Sequence, residues 1–292
     1  MTRTVTFAAT QMACSWELGE NLDRAEGLVR EAAALGAQVV LLQELFETPY
    51  FCIDQDARHF DLARPIPLHP TVERFRRLAG ELGVVLPVSV FERAGQVFFN
   101  AMVMIDADGE VLGLYRKTHI PDAVGYQEKY YFTPGDTGFK VWRTRHGVLG
   151  VGICWDQWFP ESARSMALMG AEALLFPTAI GSDPPSPKAD SRDPWQRVQQ
   201  GHAAANLLPL VASNRIGVEE GASASMRFYG SSFVADQTGA IVAQASRDRQ
   251  EIVTATFDLD EVRRYRERWS MFRDRRPEMY RRLQTLDGAS PS

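Results

Sequence analysis

Three reactive side chains, Glu44, Lys117 and Cys154, each lie at or just past the end of a short apolar segment. In open α/β sheets the carboxyl ends of the strands are where ligand sites are built, so we predict that the three side chains meet. A thiol, a carboxylate and an ammonium suit acyl transfer: the sulfur attacks a carbonyl carbon, the carboxylate moves protons, and the ammonium stabilises the oxyanion. The spacing therefore indicates acyl-transfer chemistry.

Each of these residues also has an ordinary structural interpretation. A lone cysteine is commonly a small buried hydrophobe, and on spacing alone the catalytic and structural interpretations of Cys154 are balanced. Only four of the 32 basic residues are lysines, so Lys117 indicates a need for a compact ammonium whose pKa can change. An ammonium beside a thiol also favours the thiolate. Cys14 and Cys52 lack comparable neighbours and are expected to be structural.

The segments that carry these residues resemble the nitrilase, or carbon–nitrogen hydrolase, superfamily. The similarity covers nearly the whole chain, and its most specific parts are Tyr115-Arg116-Lys117-Thr118-His119 and Ile153-Cys154-Trp155-Asp156. The resemblance implies an α/β fold, the nitrilase-type four-layer α-β-β-α sandwich, and a site without metal or organic cofactor. It also implies roles for five residues: Cys154 as nucleophile, Glu44 as general base and acid, Lys117 and the backbone N–H of Trp155 as oxyanion donors, and Glu128 beside the site. A purely structural pairing of Glu128 with Lys117 is the alternative.

The position four residues after the cysteine bears on the branch of the superfamily. Relatives that act on carboxylate-bearing substrates often have arginine there, whereas this chain has Trp158. A tryptophan offers an apolar wall or a cation–π contact and no fork for a carboxylate. The resemblance therefore implies a small linear ureide with a cationic far end, such as N-carbamoylputrescine. Trp158, Asp156 and Asp183 are the predicted substrate-binding residues, with ordinary core packing as the alternative for Trp158.

Two other functions stay open at this stage. One is another nitrilase-type amidase, either an ω-amidase or a β-ureidopropionase-like enzyme. The other, from a different class, is a catalytically silent member that serves as an interaction module. A panel of ureide and amide substrates distinguishes these possibilities.

A frame of alternating strands and helices positions the reactive residues. Continuous apolar runs indicate buried strands, and apolar residues at helical spacing indicate amphipathic helices. Helices are predicted over residues 21–34, 72–82, 160–169 and 195–205, with a last one starting at Asp258. Strands are predicted over residues 5–10, 38–42, 84–91, 98–105, 111–115, 148–154, 173–176, 208–213, 228–235, 241–245 and 252–257. A weak internal echo between residues 36–42 and 170–176 favours one domain with two similar halves.

The composition excludes several classes of function. The chain has 292 residues, of which 45% are hydrophobic and 24% charged, as in soluble globular proteins. Its net charge, 32 − 37 = −5, is too small to indicate nucleic acid or a membrane surface as a partner. The sequence contains no apolar run of about 18 residues and no signal-peptide block. An odd count of three cysteines does not fit a disulfide framework, so a cytoplasmic location is expected.

The domain organisation is expected to be simple. No linker rich in proline or serine divides the chain before about residue 285, so we predict a single domain over residues 1–292 with a C-terminal arm at about 265–292. The arm is rich in arginine, and a solvated helix with a tail is its ordinary interpretation. It also contains large side chains that a neighbouring subunit would bury. A homo-oligomer is therefore expected.

Overall fold

The computed structural model describes residues 3–182 and 190–289, which form two packed sheets with helices outside them and a separate two-stranded antiparallel hairpin. The strands, in chain order, are β1 (Thr4–Gln11), β2 (Val39–Leu41), β3 (Leu86–Ala94), β4 (Val97–Ile105), β5 (Val111–Arg116), β6 (Val141–Thr144), β7 (Gly147–Val151), β8 (Ala173–Pro177), β9 (Leu210–Ser213), β10 (Ile216–Glu220), β11 (Ser225–Tyr229), β12 (Phe233–Ala235), β13 (Ile241–Gln244) and β14 (Glu251–Asp258). The α-helices are α1 (Leu18–Ala34), α2 (Pro70–Leu82), α3 (Glu128–Tyr131), α4 (Pro160–Leu168), α5 (Arg192–Asn206) and α6 (Leu259–Arg268). Short 3₁₀ helices cover Phe51–Ile53, Ala57–Leu62, Ile66–Leu68, Cys154–Trp158, Pro277–Met279 and Arg281–Gln284.

Each sheet has a parallel centre and antiparallel edges. The first has the strand order β14-β1-β2-β3-β4-β5, in which a parallel bridge between Val39 and Val85 joins β2 to the antiparallel strands that follow. The second has the order β13-β12-β9-β8-β7-β6, with β7, β8 and β9 parallel. All residues of β2 and β8 are buried. Strands covered on both faces need continuous apolar runs, which is why these segments could be predicted.

Three apolar cores define the layers. One lies between the first sheet and helices α1 and α2, and another lies between the second sheet and helices α4 and α5. The third fills the space between the two sheets. The order is therefore helix, sheet, sheet, helix, because each sheet buries both of its apolar faces. The predicted four-layer α-β-β-α sandwich is confirmed.

Local sequence sets several helix boundaries. Pro70 and Pro160 occupy the first positions of α2 and α4, where a missing N–H has no cost. Gly83 ends α2 with a φ of 69°, which glycine adopts without steric penalty. The Asp258 side chain accepts hydrogen bonds from the first backbone N–H groups of α6, as expected of an N-terminal cap.

The structure differs from the predicted elements at several places. The strand predicted over residues 228–235 is two strands, because Gly230 and Ser231 have φ values of 49° and 57° that break it. The strand predicted over 148–154 ends at Val151, since the chain turns into a 3₁₀ helix at Cys154. Strands β6 and β10 were not predicted, because their short sequences mix polar and apolar residues.

The chain beyond α6 runs over the surface as far as Ala289. Several of its large apolar side chains stay exposed: Trp269, Met279, Leu283 and Leu286. Within residues 3–182 and 190–289, no helix has the length and apolar character needed to cross a membrane.

Candidate active site

The three predicted reactive residues meet where the two sheets face each other. Glu44 follows β2 and Lys117 follows β5, both in the first sheet, whereas Cys154 follows β7 in the second. The side chains of Glu44 and Lys117 are completely buried, and Cys154 is 4% exposed. The charges of Glu44 and Lys117 both act on the Cys154 thiol. Packing of the two sheets therefore brings together residues that are far apart in sequence.

Lys117 lies between two carboxylates. Its Nζ donates to Glu44 Oε1 at 2.8 Å and to Glu128 Oε2 and Oε1 at 2.7 and 2.9 Å. Burial lowers the pKa of Lys117, but the charges of Glu128 and Glu44 outweigh burial and raise it well above its ordinary value. Lys117 therefore keeps its positive charge in a space that excludes water.

Glu44 uses one carboxylate oxygen to hold its position and leaves the other unpaired. Oε1 accepts from Lys117 Nζ and from Asn100 Nδ2, the latter at 2.7 Å. Oε2 is buried and has no hydrogen-bond partner among the described residues. An unpaired buried acceptor is costly, so this oxygen is suited to take a proton.

Glu128 is the second carboxylate beside Lys117, at the start of α3. Its Oε1 also accepts from the Tyr50 hydroxyl at 2.5 Å. Burial raises the pKa of Glu128; the Lys117 ammonium opposes this effect and the Glu44 carboxylate adds to it. The position of Glu128 fits both the site residue and the structural pairing that the sequence left open.

Cys154 occupies a strained turn directly after β7. Its φ is 41°, in the left-handed region that side chains with a Cβ rarely adopt. Sγ lies 3.7 Å from the carbonyl oxygen of Ala179. Burial and the Glu44 carboxylate raise the pKa of the Cys154 thiol well above its ordinary value, and the Lys117 ammonium opposes them only in part. The Lys117 ammonium therefore acts in the predicted direction, toward the thiolate, and burial together with Glu44 outweighs it.

Asp156 is completely buried, and each of its carboxylate oxygens has two protein partners. Oδ1 accepts from the His119 backbone N–H at 3.0 Å and lies 2.8 Å from His119 Nδ1. Oδ2 accepts from the Tyr115 hydroxyl at 2.7 Å and from the Ile153 N–H at 2.9 Å. Asp156 therefore links the turn after β7 to the end of β5. Its predicted contact with substrate stays a prediction.

Two tryptophans lie on the 3₁₀ helix that begins at Cys154, with ring centroids 6.1 Å apart. Trp155 is in the first turn, where backbone N–H groups lack acceptors within the helix. Trp158 packs against the core under α4 and α5, and its buried indole N–H has no partner in the described part of the chain. Core packing therefore buries part of the Trp158 side chain, and its contact with substrate stays a prediction. Asp183 lies outside the described residues.

Asn100 and Tyr50 belong to the site although they were not predicted from the sequence. Asn100 is a completely buried amide within the otherwise largely apolar β4, and such a polar residue is a usable signal. Tyr50 has no comparable signal, because a buried tyrosine commonly serves only packing. Its role is visible only through the hydrogen bond to Glu128.

The buried groups provide what acyl transfer requires. Cys154 offers a thiol, Glu44 a carboxylate oxygen without a partner among the described residues, and Lys117 an ammonium held between two carboxylates. Across residues 3–182 and 190–289, no three His, Cys, Asp or Glu side chains are grouped to hold a metal ion.

Comparison with known proteins agrees with this geometry. The family model for carbon-nitrogen hydrolases matches residues 6–267. The chain is 55% identical to the N-carbamoylputrescine amidase of Solanum lycopersicum, over 99% of this chain and 98% of that protein. It is 52% identical to the citrullinase of Francisella tularensis subsp. tularensis, over 94% of this chain and 96% of that protein. The crystal structure of a carbon-nitrogen hydrolase from Helicobacter pylori matches with a TM-score of 0.91 and 39% identity, covering 97% of this chain and 99% of the other.

Proposed function

Because this chain belongs to the carbon–nitrogen hydrolase family, we propose that it hydrolyses a small linear ureide through a covalent intermediate on Cys154. The substrate that we propose is N-carbamoylputrescine, which yields putrescine, ammonia and carbon dioxide. The observation that carries this proposal is the 55% identity, over nearly the whole of both chains, to the N-carbamoylputrescine amidase of Solanum lycopersicum. The buried arrangement of Glu44, Lys117 and Cys154 supports the same chemistry.

In the first half of the proposed reaction, Cys154 Sγ forms a bond to the carbamoyl carbon while its proton moves to Glu44 Oε2. Negative charge then develops on the carbonyl oxygen, where the Lys117 ammonium and the Trp155 backbone N–H stabilise it. The carbon–nitrogen bond breaks as Glu44 returns the proton to the departing amine. A carbamoyl thioester on Cys154 remains.

In the second half, water attacks the thioester carbon. Glu44 accepts a proton from that water, and the proton then passes to the departing sulfur, which restores the thiol. If putrescine leaves first, the released carbamic acid decomposes to ammonia and carbon dioxide; if ammonia leaves first, the released aminobutylcarbamic acid decomposes to putrescine and carbon dioxide. Glu44 therefore acts alternately as base and acid, which suits a carboxylate with one oxygen held in place and the other unpaired.

Citrulline is a second candidate substrate, favoured by the 52% identity to the Francisella tularensis citrullinase. It shares the ureide group with N-carbamoylputrescine but carries an α-carboxylate as well as an ammonium at the far end. The two candidates therefore require the same reaction centre and differ in what the far end of the pocket must bind. The resemblance implies arginine at the position of Trp158 in relatives that act on carboxylate-bearing substrates, so Trp158 favours the substrate without a carboxylate.

We expect Trp158→Arg to lower kcat/KM for N-carbamoylputrescine and to improve the use of N-carbamoyl-β-alanine. An ammonium against an aromatic wall gains about 0.5–2 kcal/mol, which corresponds to a loss of roughly two- to thirtyfold in kcat/KM. The measurement is kcat/KM of wild type and variant on N-carbamoylputrescine, citrulline, N-carbamoyl-β-alanine, N-carbamoyl-D-amino acids and glutaramate. Trp16→Arg is the matched control, because Trp16 is exposed and stacks on His59.

The wild-type preference decides between the candidates. A preference for N-carbamoyl-β-alanine would favour the β-ureidopropionase-like alternative, and a preference for glutaramate would favour an ω-amidase. A preference for citrulline would favour the second candidate. A folded chain that turns over none of these substrates would favour the interaction module.

We also propose a cytoplasmic location. Cys14, Cys52 and Cys154 are all free thiols. A reducing compartment keeps thiols in that state, and the proposed chemistry needs Cys154 reduced.

We propose that a second copy of the chain packs on the C-terminal arm. Leu283 and Leu286 are exposed there, and large apolar side chains that stay in water are unfavourable. A double variant, Leu283→Glu with Leu286→Glu, is expected to dissociate the assembly to the 32.7 kDa single chain in light scattering. Leu68→Glu is the matched control, since Leu68 is 83% exposed on a different segment. A wild-type mass of one chain, or an unchanged assembly in the double variant, would reject this interface.

A further inference from the structure

Arg215 places a completely buried guanidinium directly behind Glu44. Its Nη2 donates to the backbone carbonyl oxygens of Glu44 at 2.8 Å and Leu45 at 3.0 Å. Its Nη1 donates to the Thr48 carbonyl oxygen at 3.3 Å and to Glu219 Oε1 at 2.8 Å. The reaction proposed above gives this cation no role. A buried charge is costly unless it is paired and hydrogen-bonded, so a specific reason for its presence is required.

The backbone that Arg215 holds is strained. Leu45 has a φ of 47°, in the left-handed region that a leucine rarely adopts. Such a conformation persists only where the surrounding contacts fix it. The two carbonyl groups that Arg215 binds lie on either side of the Leu45 Cα. Nη2 therefore fixes the turn from which the Glu44 side chain projects.

The partner carboxylate extends this support to the second acid of the site. Glu219 Oε2 accepts from the backbone N–H of Tyr50, and the Tyr50 hydroxyl donates to Glu128 Oε1 at 2.5 Å. The ion pair of Arg215 and Glu219 is thus connected directly to the backbone of Glu44 and, through Tyr50, to the side chain of Glu128. These are the two carboxylates that flank Lys117.

We propose that Arg215 is a positioning residue for the reaction, which holds the Glu44 carboxylate on one side of Lys117 and, with Glu219, the Glu128 carboxylate on the other. This inference rests on the proposed function of Glu44 as the group that transfers protons. Arginine suits the position because its planar fork reaches several fixed acceptors at once, whereas the compact ammonium of lysine does not. Arg215 does not contact the substrate, so its loss acts on turnover and leaves binding nearly unchanged.

The test replaces Arg215 by methionine and by lysine. For Arg215→Met we expect kcat to fall about 10²-fold, because displacing a catalytic group by about 1 Å costs roughly this much. The expected KM stays within about twofold of wild type. Arg215→Lys keeps the positive charge but not the planar fork, so its kcat is expected to lie between those of wild type and Arg215→Met. All assays are run well below each variant's own Tm, with circular dichroism to confirm the fold.

Arg266→Met is the matched control for loss of a partly buried guanidinium. Arg266, on α6, donates to the Ala171 carbonyl oxygen at 3.4 Å and contacts none of the site residues named above. This variant should lose some stability and keep its kcat. If neither Arg215 variant folds, Glu219→Gln is measured instead, because it keeps the shape of the partner and removes its charge. It is expected to lower kcat about tenfold with KM retained.

A folded Arg215 or Glu219 variant with wild-type kcat overturns the proposal, as does a change confined to KM. Glu44→Gln, assayed on the same substrate, separates this failure from failure of the proposed function. If Glu44→Gln keeps its turnover, the proposed function itself is wrong. If Glu44→Gln is inactive while the Arg215 variants remain fully active, only the positioning role is wrong.

Discussion

Replacing Cys154 by alanine or serine is expected to abolish turnover while leaving the protein folded. Removal of a catalytic nucleophile costs on the order of 10⁶ in kcat in a serine protease, which here would place the activity below detection. The change in stability should be small, because the sulfur makes a single, long hydrogen bond within the described part of the chain, at 3.7 Å to the Ala179 carbonyl oxygen. The measurements are turnover of N-carbamoylputrescine and thermal unfolding. Normal hydrolysis by Cys154→Ala would end the thiol mechanism.

Cys14→Ser and Cys52→Ser are the matched controls. The Cys14 thiol donates to the Phe46 carbonyl oxygen at 3.3 Å, and burial raises its pKa to about 11. Cys52 is completely buried in an apolar cluster, and burial raises its pKa well above the ordinary value. The family resemblance assigns the nucleophile to Cys154 alone, so both variants should keep most of the activity.

The covalent adduct on Cys154 of the wild-type protein shows which nitrogen of the ureide leaves first. A reaction that releases putrescine first leaves a carbamoyl group on Cys154, whereas one that releases ammonia first leaves the larger aminobutylcarbamoyl group. The mass of the Cys154 peptide after rapid quenching distinguishes the two. Either adduct supports a covalent intermediate, and its location on Cys14 or Cys52 would contradict the mechanism.

Lys117→Arg is expected to be nearly as damaging as Lys117→Ala, with a loss of about 10²–10³ in kcat for each. The Lys117 ammonium is completely buried and sits at 2.7–2.9 Å from two carboxylates. A guanidinium is wider than an ammonium and would push Glu44 or Glu128 out of place. A positive charge at position 117 is therefore not enough, because the positions of the two carboxylates also depend on the small size of the ammonium. The measurement is kcat on the preferred ureide for both variants.

Lys129→Arg is the control for the same substitution. Lys129 is exposed and follows Glu128 directly in sequence, so it tests the chemical change without the packing constraint. We expect it to keep wild-type activity. Retention of more than about a tenth of the wild-type rate by Lys117→Arg would remove Lys117 from the oxyanion role.

The raised pKa of the Cys154 thiol agrees with a mechanism in which the thiol loses its proton only as it attacks the substrate. Two carboxylates already face one ammonium in the buried space, so a resting thiolate would add further uncompensated negative charge. Such charge is costly away from water. When the sulfur attacks a carbonyl carbon, the negative charge moves onto the carbonyl oxygen instead. This arrangement agrees with the proposed step, in which the thiol proton moves to Glu44 at the moment of attack.

The sequence by itself determined the features that depend on neighbouring residues. The apolar run of β2 indicated a strand buried on both faces, and Asp258 indicated the start of a helix, because both signals lie within a few residues. The strand ends made Glu44, Lys117 and Cys154 candidates, because sites in α/β folds form there. The resemblance of the surrounding segments to the carbon–nitrogen hydrolase superfamily then favoured the catalytic interpretation.

Only the tertiary structure decided which groups each side chain meets and how burial changes its chemistry. Asp156 lies two residues after Cys154, yet its carboxylate accepts hydrogen bonds from Tyr115 and His119, which are 41 and 37 residues earlier in the chain. Asn100 and Arg215 contact Glu44 across sequence separations of 56 and 171 residues. The direction of the Cys154 pKa shift likewise follows from burial and from Glu44, not from the adjacent sequence. Electrostatic interactions and hydrogen bonds depend on distance in space, and packing of the two sheets sets those distances.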